Sequence, residues 1–333
     1  MNTKEETNKE IKYLCLVNRI TPAMKSALEE VPKRGGFYNW LFLFKGDLLE
    51  WRPGMDLEKY DVVHINLSPS DQVIVPEVRR QLGWNSKTKL VLNNDHVQEC
   101  WSRWGIHPQQ YWDIQEMGDM VFGTEKHQVS HMIPRAKIMP HPHDFKMISK
   151  FSPVEINNTY GNIFHWWEGT TFSAGTLALK LRKEMPEITS RLYAYQKEND
   201  KEFRWTRMMF DELYGFMTYP DYMDSFMSNK FVFDYTSYHT YGRNSVDAAM
   251  CGTPMMGSNT VASMRRCFPY TTFDPRDIKK ALEIAKRLIN DEIFREVVIK
   301  YAKEASKYYD YPNAKERFLK NLKESENDER FYK

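Results

Sequence analysis

The chain has 333 residues, 41% hydrophobic and 14% aromatic, which is enough to bury a sizeable core in two domains or one large α/β domain and too apolar for a disordered chain. Net charge is +2. The stretches before and after residue 150 carry 20 basic against 19 acidic and 27 against 26 residues, which excludes a broadly basic nucleic-acid platform but leaves room for a local patch.

In chain order, polar residues 1–10 read as a flexible terminus. Short apolar runs then predict strands at 11–17 (IKYLCLV), 60–67 (YDVVHINL), 89–94 (KLVLNN), 119–124 (DMVFGT) and 136–141 (AKIMPH), with helical segments at 75–83 and 125–133 between them. A second series follows, with strands at 162–167 (NIFHWW), 190–196 and 230–236 and helices at 173–185 and 220–229. Residues 274–309 carry long helical periodicity, with Asp274 as its expected cap, and a last helix falls at 313–324. Strands alternating with helices predict parallel sheets built from βαβ units. The expected division is an N-terminal Rossmann-like domain over 11–150, a C-terminal one over 151–312, and a helix and tail over 313–333.

Cys15, Cys100, Cys251 and Cys267 include no CxxC pair, which argues against a zinc module or a disulfide framework. No apolar run approaches the roughly 20 residues that span a bilayer, and no signal peptide precedes the first strand; the expected location is cytoplasmic.

The stretch YHTYGRNSVDAAMCGTPMMGSN (238–259) reads as a loop, a short helix, a sharp stop and a new strand. Gly242 ends the loop, and Asn244 or Ser245 is the expected side-chain cap. A helix start after a glycine loop offers free N–H groups and a positive dipole end to a diphosphate. Arg243 adds a charged fork, Asp247 stands one turn in for ribose hydroxyls, and Gly252 with Pro254 closes the helix.

This stretch resembles the nucleotide-binding segment of retaining GT-B glycosyltransferases of family 4, in which a Glu, seven intervening residues and a second Glu are followed by Ala-Met-Ala-Cys-Gly-Thr-Pro. DAAMCGTP (247–254) matches its second half; Asp247 stands at the second Glu, His239 at the first, and Gly242 at the glycine beside the phosphates. Weaker similarities run through VPKRGGFYNWLF (31–42), DVVHIN (61–66), LVLNNDH (90–96) and IMPHPHDF (138–145), so that about 300 residues fit in order. The family's Gly-Arg and Lys-Gly after the first strand of the second domain are absent from FHWWEGTTFSAGT (164–176).

The resemblance implies two Rossmann-like doubly wound domains facing across a cleft, a nucleotide-sugar donor carrying UDP or GDP, and no essential metal or other cofactor. It places the donor at His239, Tyr241, Gly242, Arg243, Asn244 and Asp247, and an acceptor or phosphate loop at Gly35 and Gly36. Asp95 and His96 end a strand where a general base or a sugar contact is needed. His64 reads as structural, His141 and His143 flank a proline and point apart, and Trp166 or Trp167 is a candidate stacking surface. The default acceptor is a glycan or lipid-linked sugar. The alternatives are a hydroxymethylated DNA base, a catalytically inactive nucleotide- or glycan-binding protein, and a nucleotide-sugar epimerase of the same two-domain design.

Overall fold

A computed structural model describes residues 10–22, 24–25, 36–96, 101, 104–151, 154–163, 170–193, 208–215 and 217–327. The chain divides into two compact units, residues 1–143 with 311–333, and residues 144–310.

The first unit holds strands β1 (Tyr13–Val17), β2 (Asp47–Glu50), β3 (Val62–Asn66), β4 (Lys89–Asn94), β5 (Met120–Gly123) and β6 (Lys137–Ile138). They form one parallel sheet in the order β2-β1-β3-β4-β5-β6. Its helices are α1 (Tyr38–Phe44), α2 (Val75–Leu82), α3 (Pro108–Glu116) and the single turn α4 (Lys126–Val129). Covered on both faces, the strands carry near-continuous apolar runs, and the two-residue period sorts them. Leu14, Leu16, Val63, Ile65, Leu90 and Leu92 enter one core layer; Tyr13, Cys15, Val17, Val62, Val91 and Phe122 enter the other.

The second unit begins with the single turn α5 (Phe145–Ile148). Its strands are β7 (Thr159–Ile163), β8 (Thr189–Tyr193), β9 (Glu212–Tyr214), β10 (Phe231–Asp234), β11 (Met255–Ser258) and β12 (Thr272–Phe273). They form a second parallel sheet, β12-β11-β10-β7-β8-β9. Helices α6 (Thr170–Glu184), α7 (Tyr219–Met227), α8 (Arg243–Cys251), α9 (Ala262–Cys267), α10 (Ile278–Asn290) and α11 (Glu292–Ser306) connect or cover it. In each sheet the chain first builds outward in one direction and then returns to the other side of its first strand. The reversals fall between β1 and β3 and between β7 and β10, and ligands of doubly wound sheets bind outside the carboxyl ends of the strands at such a point.

Helix α12 (Tyr311–Glu324) returns to the first unit. Phe318 is buried there against Phe44, Trp40 and Tyr13, with ring centroids 4.9, 5.3 and 5.9 Å apart.

Several expectations shift. The 274–309 periodicity breaks into α10 and α11 at Asp291, whose carboxylate accepts from Phe294 N at 2.8 Å and caps the second helix. Asp274 is not the cap of α10. It pairs with Arg276, and Asp277 accepts from Lys280 N at 2.9 Å instead. β2 (DLLE) and β9 (ELY) were not expected; they are short, half-exposed edge strands without an apolar run. The expected strands at 162–167 and 190–196 run into residues outside those described.

Candidate functional site

The second unit carries the glycine-loop segment at its β7/β10 switch point. β10 ends at Asp234, and residues 235–242 lead into α8. Gly242 sits at the N-cap in the left-handed region (φ 78, ψ 77). A Cβ there would overlap Val261 Cγ1 and lie 2.9 Å from Ser263 Oγ, so both conformation and space demand glycine. The expected Asn244 or Ser245 cap is replaced: no side chain caps this end. Ser245 Oγ instead donates back to Gly242 O at 2.9 Å. Ser263 Oγ donates to the Tyr241 carbonyl at 2.7 Å and lies close to the Gly242 carbonyl and to Ser245 Oγ. Ala262 N to Thr240 O (2.9 Å) and Ser263 N to Tyr241 O (3.0 Å) complete the clamp. The loop is therefore held from β11's side by these bonds.

Arg243 is the first helical residue. Its Nε and Nη1 are buried and make no hydrogen bond among the described residues. Asp247 Oδ2 lies 3.5 Å from Nε, and the Tyr219 ring sits 5.8 Å below the guanidinium. Asp247 itself is 2% exposed. This placement sets its carboxylate against the Arg243 guanidinium. Asn244 Oδ1 accepts from the Tyr222 hydroxyl at 3.4 Å. Tyr241 is buried beside Tyr309, and burial pushes its hydroxyl well up; His239 is half-buried in the same loop. Gly252 closes α8 in the left-handed region, as the sequence predicts. Ser263 and Val261 were not foreseen; their signal is only that they follow the next strand, β11, at the same sheet end.

The first unit carries Asp95 and His96 directly after β4. Asp95 Oδ1 accepts from His141 Nε2 at 2.7 Å and from Asn93 Nδ2 at 2.5 Å. Trp40 Nε1 donates to His141 Nδ1 at 3.1 Å. That bond fixes the tautomer: Nδ1 accepts, so the proton of His141 is on Nε2, directed at the carboxylate. Burial would raise the Asp95 carboxyl, but His141 first, then His96 and His64, hold it below the usual carboxylate range. Gly36 has a packing role, because a Cβ would overlap the His141 ring, 2.7 Å from Nε2. Gly35, Trp166 and Trp167, and residues 164–169 of the segment lacking the family's basic pair, lie outside the described residues. His96 packs edge-on against Trp104 (4.9 Å), and burial lowers its pKa against the pull of Asp95 and Asp71.

The reading of HPHD weighed only a metal role and so missed His141 as the partner of Asp95. The available signal was topological. Both residues follow the carboxyl ends of parallel strands, β4 and β6, separated only by β5. Among the described residues no group of three or more His, Cys, Asp or Glu is placed to hold a metal ion.

His64 is structural, as read. It is fully buried among Tyr13, Phe37, Trp40 and Phe122, with Nδ1 paired to the Tyr13 hydroxyl. Burial is the main cause that pushes its pKa down to about 3. The folded state therefore holds it neutral while the unfolded state binds a proton near pH 6.5. Its contribution to stability is full above pH 6.5 and is lost as pH falls toward 3, at about 1.4 kcal/mol per pH unit. Denaturant unfolding between pH 6 and 4 is expected to show that slope for His64→Gln to be shallower than wild type by about one proton.

Comparisons with known proteins match this architecture. The chain matches no protein-family model and no curated protein. Among solved structures, it is similar to Anabaena HepE in complex with UDP and glucose (14% identity, 94% of this chain and 99% of that one, TM-score 0.64). It is similar to the trehalose-6-phosphate synthase OtsA without ligand (9%, 94% and 99%, TM-score 0.71). It is also similar to an alpha-glucosyltransferase in complex with UDP and a 13-mer DNA containing a central A:G mismatch (10%, 95% and 100%, TM-score 0.65). These chains share two parallel α/β sheets over nearly their full lengths.

The chain has the GT-B fold. At this level of identity the likeness establishes the fold, and both GT-B sheets present their candidate residues after carboxyl strand ends. No helix among the described residues of this GT-B chain is long and apolar enough to cross a membrane.

Proposed function

We propose that this protein is a nucleotide-sugar-dependent glycosyltransferase of the family 4 type, with the donor diphosphate held by the second unit at Gly242 and Arg243. The observation that carries this reading is the Arg243 guanidinium. The side chain is 18% exposed at the N-terminus of a helix opened by a left-handed glycine; its Nε and Nη1 are buried without a hydrogen bond among the described residues, with Asp247 Oδ2 3.5 Å from Nε. Leaving charged donors buried and unsatisfied is costly, and a diphosphate supplies acceptors of the right charge and geometry. Asp247 keeps the fork in place. UDP is the favoured nucleotide, because two of the similar structures, HepE and the alpha-glucosyltransferase, are complexes with UDP. Developing charge on the leaving diphosphate is stabilised by the helix start and Arg243, and this requires no metal.

In the first unit the acceptor hydroxyl donates to Asp95. Its carboxylate stays ionised through neutral pH, and His141, locked by Trp40, sets its direction. His96 is neutral at the same pH and is available to a hydroxyl of the transferred sugar. A glycan or lipid-linked sugar is the default acceptor. The DNA-bound likeness keeps a modified base as the second reading.

The test is release of free nucleotide from UDP-, GDP-, ADP- and CMP-sugars, read by phosphorus NMR with glycan and hydroxymethylated-DNA acceptors. Turnover confined to UDP-sugars and dependent on one acceptor supports the proposal. No release from any donor contradicts it.

A further inference from the structure

The apolar run of β4 ends in two asparagines, Asn93 and Asn94, 0% and 2% exposed. A strand covered on both faces is ordinarily apolar throughout, and a buried amide needs hydrogen-bond partners to offset the loss of water. Each asparagine finds a partner two residues further along the chain. Asn94 Oδ1 accepts from His96 N at 2.9 Å. Asn93 Nδ2 donates to Asp95 Oδ1 at 2.5 Å. A carboxylate only accepts, so this contact fixes which end of the Asn93 amide faces Asp95. The sheet holds Asn93 itself, in register with Asn66 on β3 and Phe122 on β5.

The same oxygen of Asp95 takes the 2.7 Å bond from His141 Nε2. Two donors therefore converge on Oδ1, one from β4 and one from the segment after β6. The last torsion of an aspartate is broad, and two bonds to one oxygen pin it. Oδ2 takes no hydrogen bond among the described residues, on a side chain that is 20% exposed.

We propose that Asn93 is a positioning residue for Asp95: together with His141 it occupies Oδ1, which leaves Oδ2 as the oxygen that meets the acceptor hydroxyl. A reacting group held by buried donors on a strand keeps its geometry better than one on a free loop. That the hydroxyl belongs to a glycosyl acceptor rests on the reading above; the hold of Asn93 on the carboxylate does not.

The experiment follows the Asp95 carboxyl by carbon-13 NMR, together with steady-state kinetics, on the full chain in wild type, Asn93→Leu and Asn93→Asp. Thermal melts establish that each variant is folded. Asn93→Leu keeps the volume and removes the donor. It should lower kcat by about tenfold to a hundredfold, the scale for a slightly misplaced reacting group, and leave KM for the donor unchanged. Asn93→Asp sets a second carboxylate against the first, and two such groups share one proton. Around Asp95 stand His141 after β6, His96 beside it, His64 on β3 and Tyr38 on α1, all of which both variants retain. In Asn93→Asp the carboxyl titration at Asp95 should therefore include a step at least about one pH unit above wild type, and turnover should gain the matching acid limb. A role confined to packing would move neither. An Asp95 titration unchanged in Asn93→Asp, or wild-type kcat in Asn93→Leu, overturns the proposal. A shifted titration in a protein that releases no nucleotide from any donor leaves the hold on the carboxylate standing and removes the transfer reading instead.

Discussion

Gly242→Ala is expected to lower the stability of the second unit by about 3 kcal/mol and to abolish nucleotide binding. Two costs combine. A non-glycine residue in the left-handed region costs about 1–2 kcal/mol, and a methyl forced into a packed wall costs about 1–3 kcal/mol. The wall is Val261 Cγ1 and Ser263 Oγ, which belong to the clamp on the Tyr241 and Gly242 carbonyls. Relief requires moving that clamp, and so the amides and Arg243 it positions. Gly252→Ala is the matched control. It has nearly the same φ, but its Cβ meets the flexible end of Lys303, at 2.7 Å from Cε. It should cost about 1–2 kcal/mol for the left-handed conformation alone and leave nucleotide affinity unchanged. Chemical denaturation and a UDP titration on both variants check this; equal losses in the two would show that the clamp is not the reason for glycine at 242.

Asp95→Asn is expected to reduce turnover by about 10²–10⁴-fold, the range for loss of a group handling the proton of a reacting hydroxyl. UDP affinity should stay within about twofold, because the donor residues lie on the other unit. The pH profile adds a sharper sign. With the Asp95 carboxyl held below its ordinary range, wild-type turnover should not decline between pH 6 and 5 on its account. His141→Gln disturbs the carboxylate's orientation and removes the group that does most to hold its pKa down against burial. It should lower kcat by a smaller factor without moving KM for the donor. A variant in which Asp95→Asn retains wild-type turnover would remove Asp95 from the reaction.

Much of the fold was legible because buried parallel strands leave a loud signal. LVLNN and FVFD are apolar runs that admit few other readings, and the β4 boundaries expected from sequence match those observed. The edge strands were silent because edges are half-exposed and short. The second glycine of α8 was legible for a local reason, since Gly252 followed by Thr253-Pro254 can only end a helix. The start of α8 was legible in kind and wrong in detail. Its cap is a backbone conformation enforced by Ser263, eighteen residues beyond Ser245, and no local pattern announces such a contact. His141 was hidden for the same reason, as it meets Asp95 only through the order of strands. Asp247 was read, from its place one turn into the helix and from the resemblance, as a contact for ribose hydroxyls; its burial beside Arg243 is a property of packing that a motif does not carry.

The central claim is that Gly242 and Arg243 bind a diphosphate. The most direct measurement is calorimetric titration of UDP and of uridine into wild type and Arg243→Ala. A hydrogen bond to a charged group contributes about 1.5–3 kcal/mol. UDP should therefore bind wild type at least tenfold more tightly than uridine, and Arg243→Ala should lose most of that difference while uridine binding holds. Equal affinity for UDP and uridine in wild type, or a preference that persists undiminished in Arg243→Ala, would contradict the claim and leave the segment as a well-packed helix.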